Sequence, residues 1–160
     1  MSREIEQLER HILDFIKNAK KIAVLTIGNP LRGDDAAGVI IGEKLKNKIN
    51  ADIFIGETAP ESYVIKIADS GYTHVIIIDT AIIDRPPGSI FIVEKDKLAE
   101  GIMTTHSIPI SFMIDFLEGN NIKTLIIGIR PKHSDFTQEI SEEVKNAIDR
   151  LTEILIRTIK

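Results

Sequence analysis

The fold is decided by residues 21–35, which read KIAVLTIGNPLRGDD. Residues 21–27 form an almost continuous apolar run that is rich in β-branched side chains. Such a run predicts a short strand covered on both faces, as in a parallel sheet enclosed by helices. The loop GNPLRGDD follows, and its two glycines allow a tight turn toward the next helix. This stretch therefore predicts a buried strand and, after it, a loop that carries two carboxylates, Asp34 and Asp35, at the start of the next helix.

The same alternation of strand and helix continues along the chain. Apolar runs predict further strands at residues 51–55, 74–79, 89–93 and 123–129, and apolar spacings of three and four predict helices around residues 39–45, 61–69, 110–117 and 144–155. Residues 1–20 are expected to form an N-terminal amphipathic helix. Strands that alternate with helices favour an α/β fold: a three-layer sandwich with a twisted, mostly parallel sheet of about five strands and helices on both faces. The short strand at 89–93 follows a Pro-Pro-Gly turn and is expected at an edge of the sheet.

Composition narrows the class of protein. With 160 residues, of which 43% are hydrophobic, residues 1–160 are expected to form one domain. A formal charge of −4 argues against a broad basic surface for nucleic acid, and no apolar stretch approaches a membrane span. The chain has no cysteine, which excludes a disulfide framework, a thiol nucleophile and a zinc site with Cys ligands. We expect a cytoplasmic protein without membrane insertion, and the sequence is compatible with a monomer.

Three polar residues follow predicted strands at the end where ligands bind in such sheets. Asp35 closes the loop after the first strand, Asp79 ends the run VIIID, and His106 lies in a polar loop before a helix. Two carboxylates and one imidazole suit a first-row divalent ion with open coordination positions. The three residues come from separate connections, so only folding can bring them together.

Each of these residues also has a purely structural interpretation. Asp34 can cap the following helix while Asp35 occupies its favourable first turn. Asp79 can close an Asx-type turn, and His106 can be an ordinary surface or capping residue. The sequence alone leaves these alternatives open.

The motifs, in their order along the chain, resemble those of a known family. They are GNPLRGDDAAG at 28–38, TAPES at 58–62, IIIDTA at 76–81, TTHSIP at 104–109 and IGIRP at 127–131. The chain resembles the nickel-iron hydrogenase maturation endopeptidases, and most closely the branch that serves the formate-hydrogenlyase type of hydrogenase. Family members remove a C-terminal peptide from the precursor of the hydrogenase large subunit after nickel has been inserted into it.

The resemblance implies a role for individual residues. Asp35, Asp79 and His106 would contact the metal, and Asp35 and Asp79 would carry the catalysis. Asn29 and Thr105 would bind substrate, and Asp34 would be a mainly structural acid. The nickel would be supplied by the large-subunit precursor, which would be the protein partner.

Two other functions remain open from the sequence. One is a nickel-dependent assembly chaperone that binds through the same residues without catalysis, and the other is a different aspartate-dependent hydrolase of the same fold. The chain also departs from the family pattern at Thr26, Ala36 and Arg130. None of these is a proposed ligand, but Arg130 can alter how the precursor tail is held.

Overall fold

The computed structural model describes residues 2–103, 109–136 and 139–160. Its centre is a five-stranded sheet in the order β2-β1-β3-β5-β4. The strands are β1 (Ile22–Ile27), β2 (Asp52–Glu57), β3 (His74–Thr80), β4 (Ile90–Ile92) and β5 (Lys123–Ile129). Strands β2, β1, β3 and β5 are parallel, whereas β4 pairs with β5 in the antiparallel direction at the edge of the sheet.

Within the described residues, five α-helices connect or flank the strands. They are α1 (Ser2–Ile16), α2 (Ala37–Leu45), α3 (Glu61–Ala68), α4 (Ile110–Gly119) and α5 (Glu142–Thr158). Two 3₁₀ helices, Gly33–Ala36 and Lys95–Glu100, lie before α2 and after β4. No helix in the three described ranges is both long and apolar enough to cross a membrane.

The helices cover both faces of the sheet. Alternate side chains of β3 explain how: Ile76 and Ile78 belong to an apolar cluster with α1, α2 and α5, whereas Val75 and Ile77 belong to a second cluster with α3 and α4. Every residue of β3 is buried, as expected for a strand with apolar layers on both sides. The predicted three-layer α/β sandwich with a mostly parallel sheet is confirmed.

Some predicted boundaries were wrong. The first helix ends at Ile16 and not at residue 20, because a turn follows it. In this turn the Ala19 N–H donates to the Ile16 carbonyl, three residues earlier, at 2.9 Å. Helix α3 ends at Ala68 and not at residue 69, and β2 extends to Glu57, beyond residue 55. The predicted edge strand is present, although it spans only three residues.

Two glycines of the GNPLRGDDAAG motif let the loop after β1 pack closely on itself and on the strand. Gly28 has a φ of +149°, and a Cβ there would lie 2.1 Å from the Asp35 carbonyl oxygen. A Cβ at Gly38 would lie 2.3 Å from the Ile27 carbonyl oxygen. A side chain at either position would collide with backbone, so glycine is required for this close approach. The motif thereby holds Asp35 against the end of β1.

Acidification is expected to destabilise the protein through His74. This residue begins β3, so it lies at the end of the sheet opposite to the end that carries Asp35. Burial, and to a lesser extent the positive charge of Lys123, lowers the pKa of His74 below 6.5. In the described structure its buried Nε2 has no hydrogen-bond partner, and its ring packs edge-on against Phe15 with centroids 5.1 Å apart. The unfolded chain binds a proton at His74 more readily than the folded protein does. The contribution of neutral His74 to the free energy of unfolding is therefore complete above pH 6.5, and it is lost as the pH falls through the lower pKa that His74 has in the folded protein.

Urea unfolding at about pH 7.5 and about pH 5.5 measures this effect. The loss of unfolding free energy on acidification is expected to be smaller in His74→Gln than in the wild type. His11→Gln is the control, because His11 is exposed on α1. An equal loss in His74→Gln and the wild type would contradict the assignment to His74.

Candidate active site

Asp35 lies in the 3₁₀ helix that links β1 to α2, with only 1% of the residue exposed. Each of its carboxylate oxygens accepts one hydrogen bond. The backbone N–H of Asn29 donates to Oδ2 at 2.9 Å, and the hydroxyl of Thr80 donates to Oδ1 at 2.8 Å. A buried carboxylate is tolerated when donors of this kind replace its water shell. The loop after β1 and the end of β3 thus hold Asp35 between them.

Asp79 is the sixth residue of β3 and is also 1% exposed. Its Oδ1 accepts a hydrogen bond from the backbone N–H of Thr80 at 2.7 Å. By the alternation of the strand, Asp79 lies on the face of Val75 and Ile77, toward α3 and α4. Thr80 lies on the other face, where it meets Asp35. The structure therefore brings Asp35 and Asp79 to the carboxyl-terminal end of the parallel strands, where Thr80 is hydrogen-bonded to both.

Asp34 has a different set of partners from its neighbour. Its Oδ2 accepts hydrogen bonds from the backbone N–H groups of Lys132 and His133, at 2.7 and 3.2 Å, and from the Ser141 hydroxyl at 2.9 Å. Its Oδ1 accepts from the Ser141 N–H at 2.7 Å, and Ser141 is the N-cap of α5. Asp34 is fully buried, and it ties the loop after β1 to the loop after β5.

The interpretation of Asp34 as a local helix cap was wrong, whereas Asp35 does lie in the first turn of the 3₁₀ helix, as expected. Arg32 precedes the 3₁₀ helix and Ala36 precedes α2, and neither cap position has a side-chain hydrogen bond. The Asp34 carboxylate contacts residues far along the chain because the loop after β5 packs directly over it. Asp79 accepts a bond from the N–H of the next residue, Thr80, whereas an Asx turn would use the N–H two residues on, and the Ala81 N–H instead donates to the Ile129 carbonyl at 3.0 Å.

Other predicted site residues fall into two groups. The side-chain oxygen of Asn29 accepts from the Leu31 N–H at 2.9 Å, so this side chain shapes the turn, and substrate binding by Asn29 stays a prediction. His106 and Thr105 lie outside the described residues. Arg130 donates to the backbone carbonyls of Ile83 and Pro131, and it braces two loops at the same edge of the sheet.

Asp35 and Asp79 place carboxylate oxygens, which are ligands that divalent metal ions accept, at the carboxyl-terminal end of the parallel strands. An ionised carboxylate has about four lone-pair sites, so Asp35 keeps acceptor capacity beyond its two hydrogen bonds. Within residues 2–103, 109–136 and 139–160, no cluster of three or more His, Asp or Glu side chains is suited to hold a metal ion.

Two cavities of the described structure are lined by other parts of the chain. One of about 420 Å³ borders β4 and is lined by residues that include Ile83, Phe91 and Ile102. Another, of about 580 Å³, lies beside the start of α5. Neither of these two cavities is lined by Asp35 or Asp79.

Sequence reasoning missed Thr80 as a site residue. It stands in the IIIDTA motif directly after Asp79, and the strand pattern there was a usable signal. Because successive side chains of a strand point to opposite faces, a polar residue after Asp79 is directed toward α2 and hence toward Asp35.

Comparisons with known proteins identify relatives over most of the chain. A family model described as hydrogenase maturation protease matches residues 39–158. The hydrogenase 3 maturation protease of Escherichia coli K12 is 32% identical over 129 residues, which cover 79% of this chain and 83% of that protein. A Methanocaldococcus jannaschii protein with a provisional name as a hydrogenase maturation protease is 34% identical over 164 residues, 96% of each chain. Among solved structures, the [NiFe] hydrogenase maturation protease HycI from Thermococcus kodakarensis has a TM-score of 0.83 at 28% identity and covers 92% of this chain and 97% of its own.

Proposed function

Because the chain belongs to the hydrogenase maturation protease family and is a peptide hydrolase, we propose that it removes a C-terminal peptide from the nickel-loaded precursor of a nickel-iron hydrogenase large subunit. The family agrees with the resemblance found in the sequence, and the relatives are consistent with the expected branch. The observation that carries the proposal is the pair of buried carboxylates, Asp35 and Asp79, joined through Thr80 at one edge of the sheet. The proposed compartment is the cytoplasm, as expected from the composition.

In this proposal the nickel belongs to the substrate. The chain has no cysteine, so thiolate ligands for nickel would have to come from the precursor. Asp35, Asp79 and His106 contact the metal ion from this side, and Asn29 and Thr105 contact the peptide near it. A precursor without nickel lacks this anchor, so the cleavage step tests whether the metal has been inserted.

Hydrolysis at this site needs a group that accepts a proton from water. One of the two carboxylates takes that proton as the water oxygen attacks the carbonyl carbon of the scissile bond. The proton then passes to the amide nitrogen as the C–N bond breaks. The nickel of the precursor acts in this proposal as a fixed anchor that holds the scissile bond beside the carboxylates.

Exposed apolar side chains on the segments that follow the parallel strands, and at the start of α4, support a protein substrate. Leu31 follows β1, Ile82 follows β3, Phe136 follows β5 and Phe112 lies in the first turn of α4, and each is at least half exposed. In a sheet of this topology these four positions share the edge that carries Asp35 and Asp79. Arg32 lies over the Phe136 ring, 4.8 Å from its centroid. Apolar and cationic groups around a polar centre are typical of surfaces that bind other proteins.

The deciding experiment offers the purified protein candidate large-subunit precursors with and without nickel. We expect a C-terminal peptide to be released only from the nickel-loaded precursor, and mass spectrometry of that peptide identifies the cleaved bond. Binding without release would favour the assembly chaperone. Equal cleavage of both precursors would contradict the nickel requirement, and hydrolysis of generic peptides without nickel would indicate a different hydrolase.

A further inference from the structure

Thr80 is hydrogen-bonded to both carboxylates of the candidate active site. Its backbone N–H donates to Asp79 Oδ1 at 2.7 Å, and its hydroxyl donates to Asp35 Oδ1 at 2.8 Å. We propose that Thr80 is a positioning residue whose hydroxyl holds the Asp35 carboxylate in a fixed orientation relative to Asp79. The catalytic consequence of this proposal rests on the proposed function, whereas the positioning itself does not.

The two hydrogen bonds of Asp35 come from different parts of the fold. The Asn29 N–H belongs to the same loop as Asp35, so it moves with that loop. The Thr80 hydroxyl belongs to β3, the strand that also carries Asp79. In the described hydrogen bonds, Thr80 is therefore the link that relates the position of one carboxylate to that of the other.

The donor itself is held in place. Thr80 pairs with Ile129 of β5, and the next residue, Ala81, donates its N–H to the Ile129 carbonyl at 3.0 Å. Threonine is β-branched, so its χ1 angle is restricted and the hydroxyl direction is largely set by the backbone. Only 9% of Thr80 is exposed, which limits competition from water. A fixed backbone and a restricted rotamer give the hydroxyl a defined position under Asp35.

The hydroxyl can be removed and restored by substitution. Thr80→Val keeps the shape and the backbone N–H but removes the donor to Asp35, and Thr80→Ser restores a hydroxyl. Thr80→Ala is a second variant without the donor, in case valine disturbs packing. Thr152→Val is the matched control, because Thr152 is 8% exposed and its buried hydroxyl has no hydrogen-bond partner in the described structure.

Two measurements test the proposal. Hydrogen exchange of the Asn29 amide, followed by NMR on the protein alone, reports whether Asp35 Oδ2 still accepts its bond. We expect exchange about tenfold faster in Thr80→Val and Thr80→Ala, and near wild-type exchange in Thr80→Ser and Thr152→Val. With nickel-loaded precursor as substrate, kcat should fall about tenfold in the two variants without the hydroxyl while KM changes little. Thr80→Ser should recover most of the lost kcat.

The possible results separate this proposal from the proposed function. Wild-type Asn29 exchange in Thr80→Val and Thr80→Ala would overturn the positioning role, and so would a Thr80→Ser variant as impaired as Thr80→Val. If the exchange results are as expected but the wild type releases no peptide from any nickel-loaded precursor, the positioning role stands and the proposed function fails.

Discussion

Replacing Asp35 by Asn is expected to abolish peptide release from the nickel-loaded precursor, with kcat lowered by about a thousandfold or more. Asparagine has nearly the same shape, and its side-chain oxygen can still accept the Asn29 N–H bond. The Thr80 hydroxyl can rotate to accept a hydrogen bond from the new amide. The fold should therefore survive the change. What is lost is a negative charge and a group able to accept a proton from water.

A matched control for this variant is available at the same end of the sheet. Asp84 is exposed and follows β3 by a few residues, so Asp84→Asn removes one charge from the same region and should leave the rate of peptide release nearly unchanged. Asp79→Asn should resemble Asp35→Asn. Undiminished release by a folded Asp35→Asn protein would show that Asp35 has no catalytic role.

Replacing Asp34 by Ala is expected to cost stability, by roughly 3 kcal/mol or more in the free energy of unfolding. The change leaves three backbone N–H groups and one hydroxyl without their common acceptor, and these donors belong to Lys132, His133 and Ser141. Ser141 also caps α5, so the start of the longest helix loses part of its support. Urea unfolding monitored by circular dichroism measures the loss.

The control for Asp34→Ala is Asp149→Ala. Asp149 lies on α5 with a largely exposed side chain that pairs with Lys44 at 3.6 Å, and its removal should change stability by no more than about 0.5 kcal/mol. An Asp34→Ala protein as stable as the wild type would contradict the structural role of this residue. The two adjacent acids of the GDD motif are thus expected to differ in the effect of their replacement. Loss of Asp34 lowers the free energy of unfolding, whereas loss of the Asp35 charge lowers the rate of peptide hydrolysis.

The strands and their order of appearance could be predicted because their information is local. The run at residues 123–129 has the apolar pattern of a buried strand and forms one with those bounds. The antiparallel direction of β4 was not predicted. It depends on pairing between β4 and β5, including a bond from the Gly88 N–H to the Arg130 carbonyl at 2.7 Å, and no local pattern encodes that pairing.

The sequence was enough to predict which end of the sheet carries the candidate site, but not the hydrogen bonds of its side chains. Parallel strands end at one edge, which was enough to expect Asp35 and Asp79 near each other. The bond from Thr80 to Asp35 depends on a rotamer and on the path of the loop after β1. The partners of Asp34 lie about 100 residues away in sequence, in a loop whose packing has no periodic signal.

The opposite directions of Asp79 and Thr80 on β3 make the site depend on both helical layers of the protein. Asp79 lies on the side of α3 and α4, and Asp35 is brought to Thr80 by the segment that leads into α2. The relative placement of the two carboxylates is therefore expected to require that the helices on both faces of the sheet are docked.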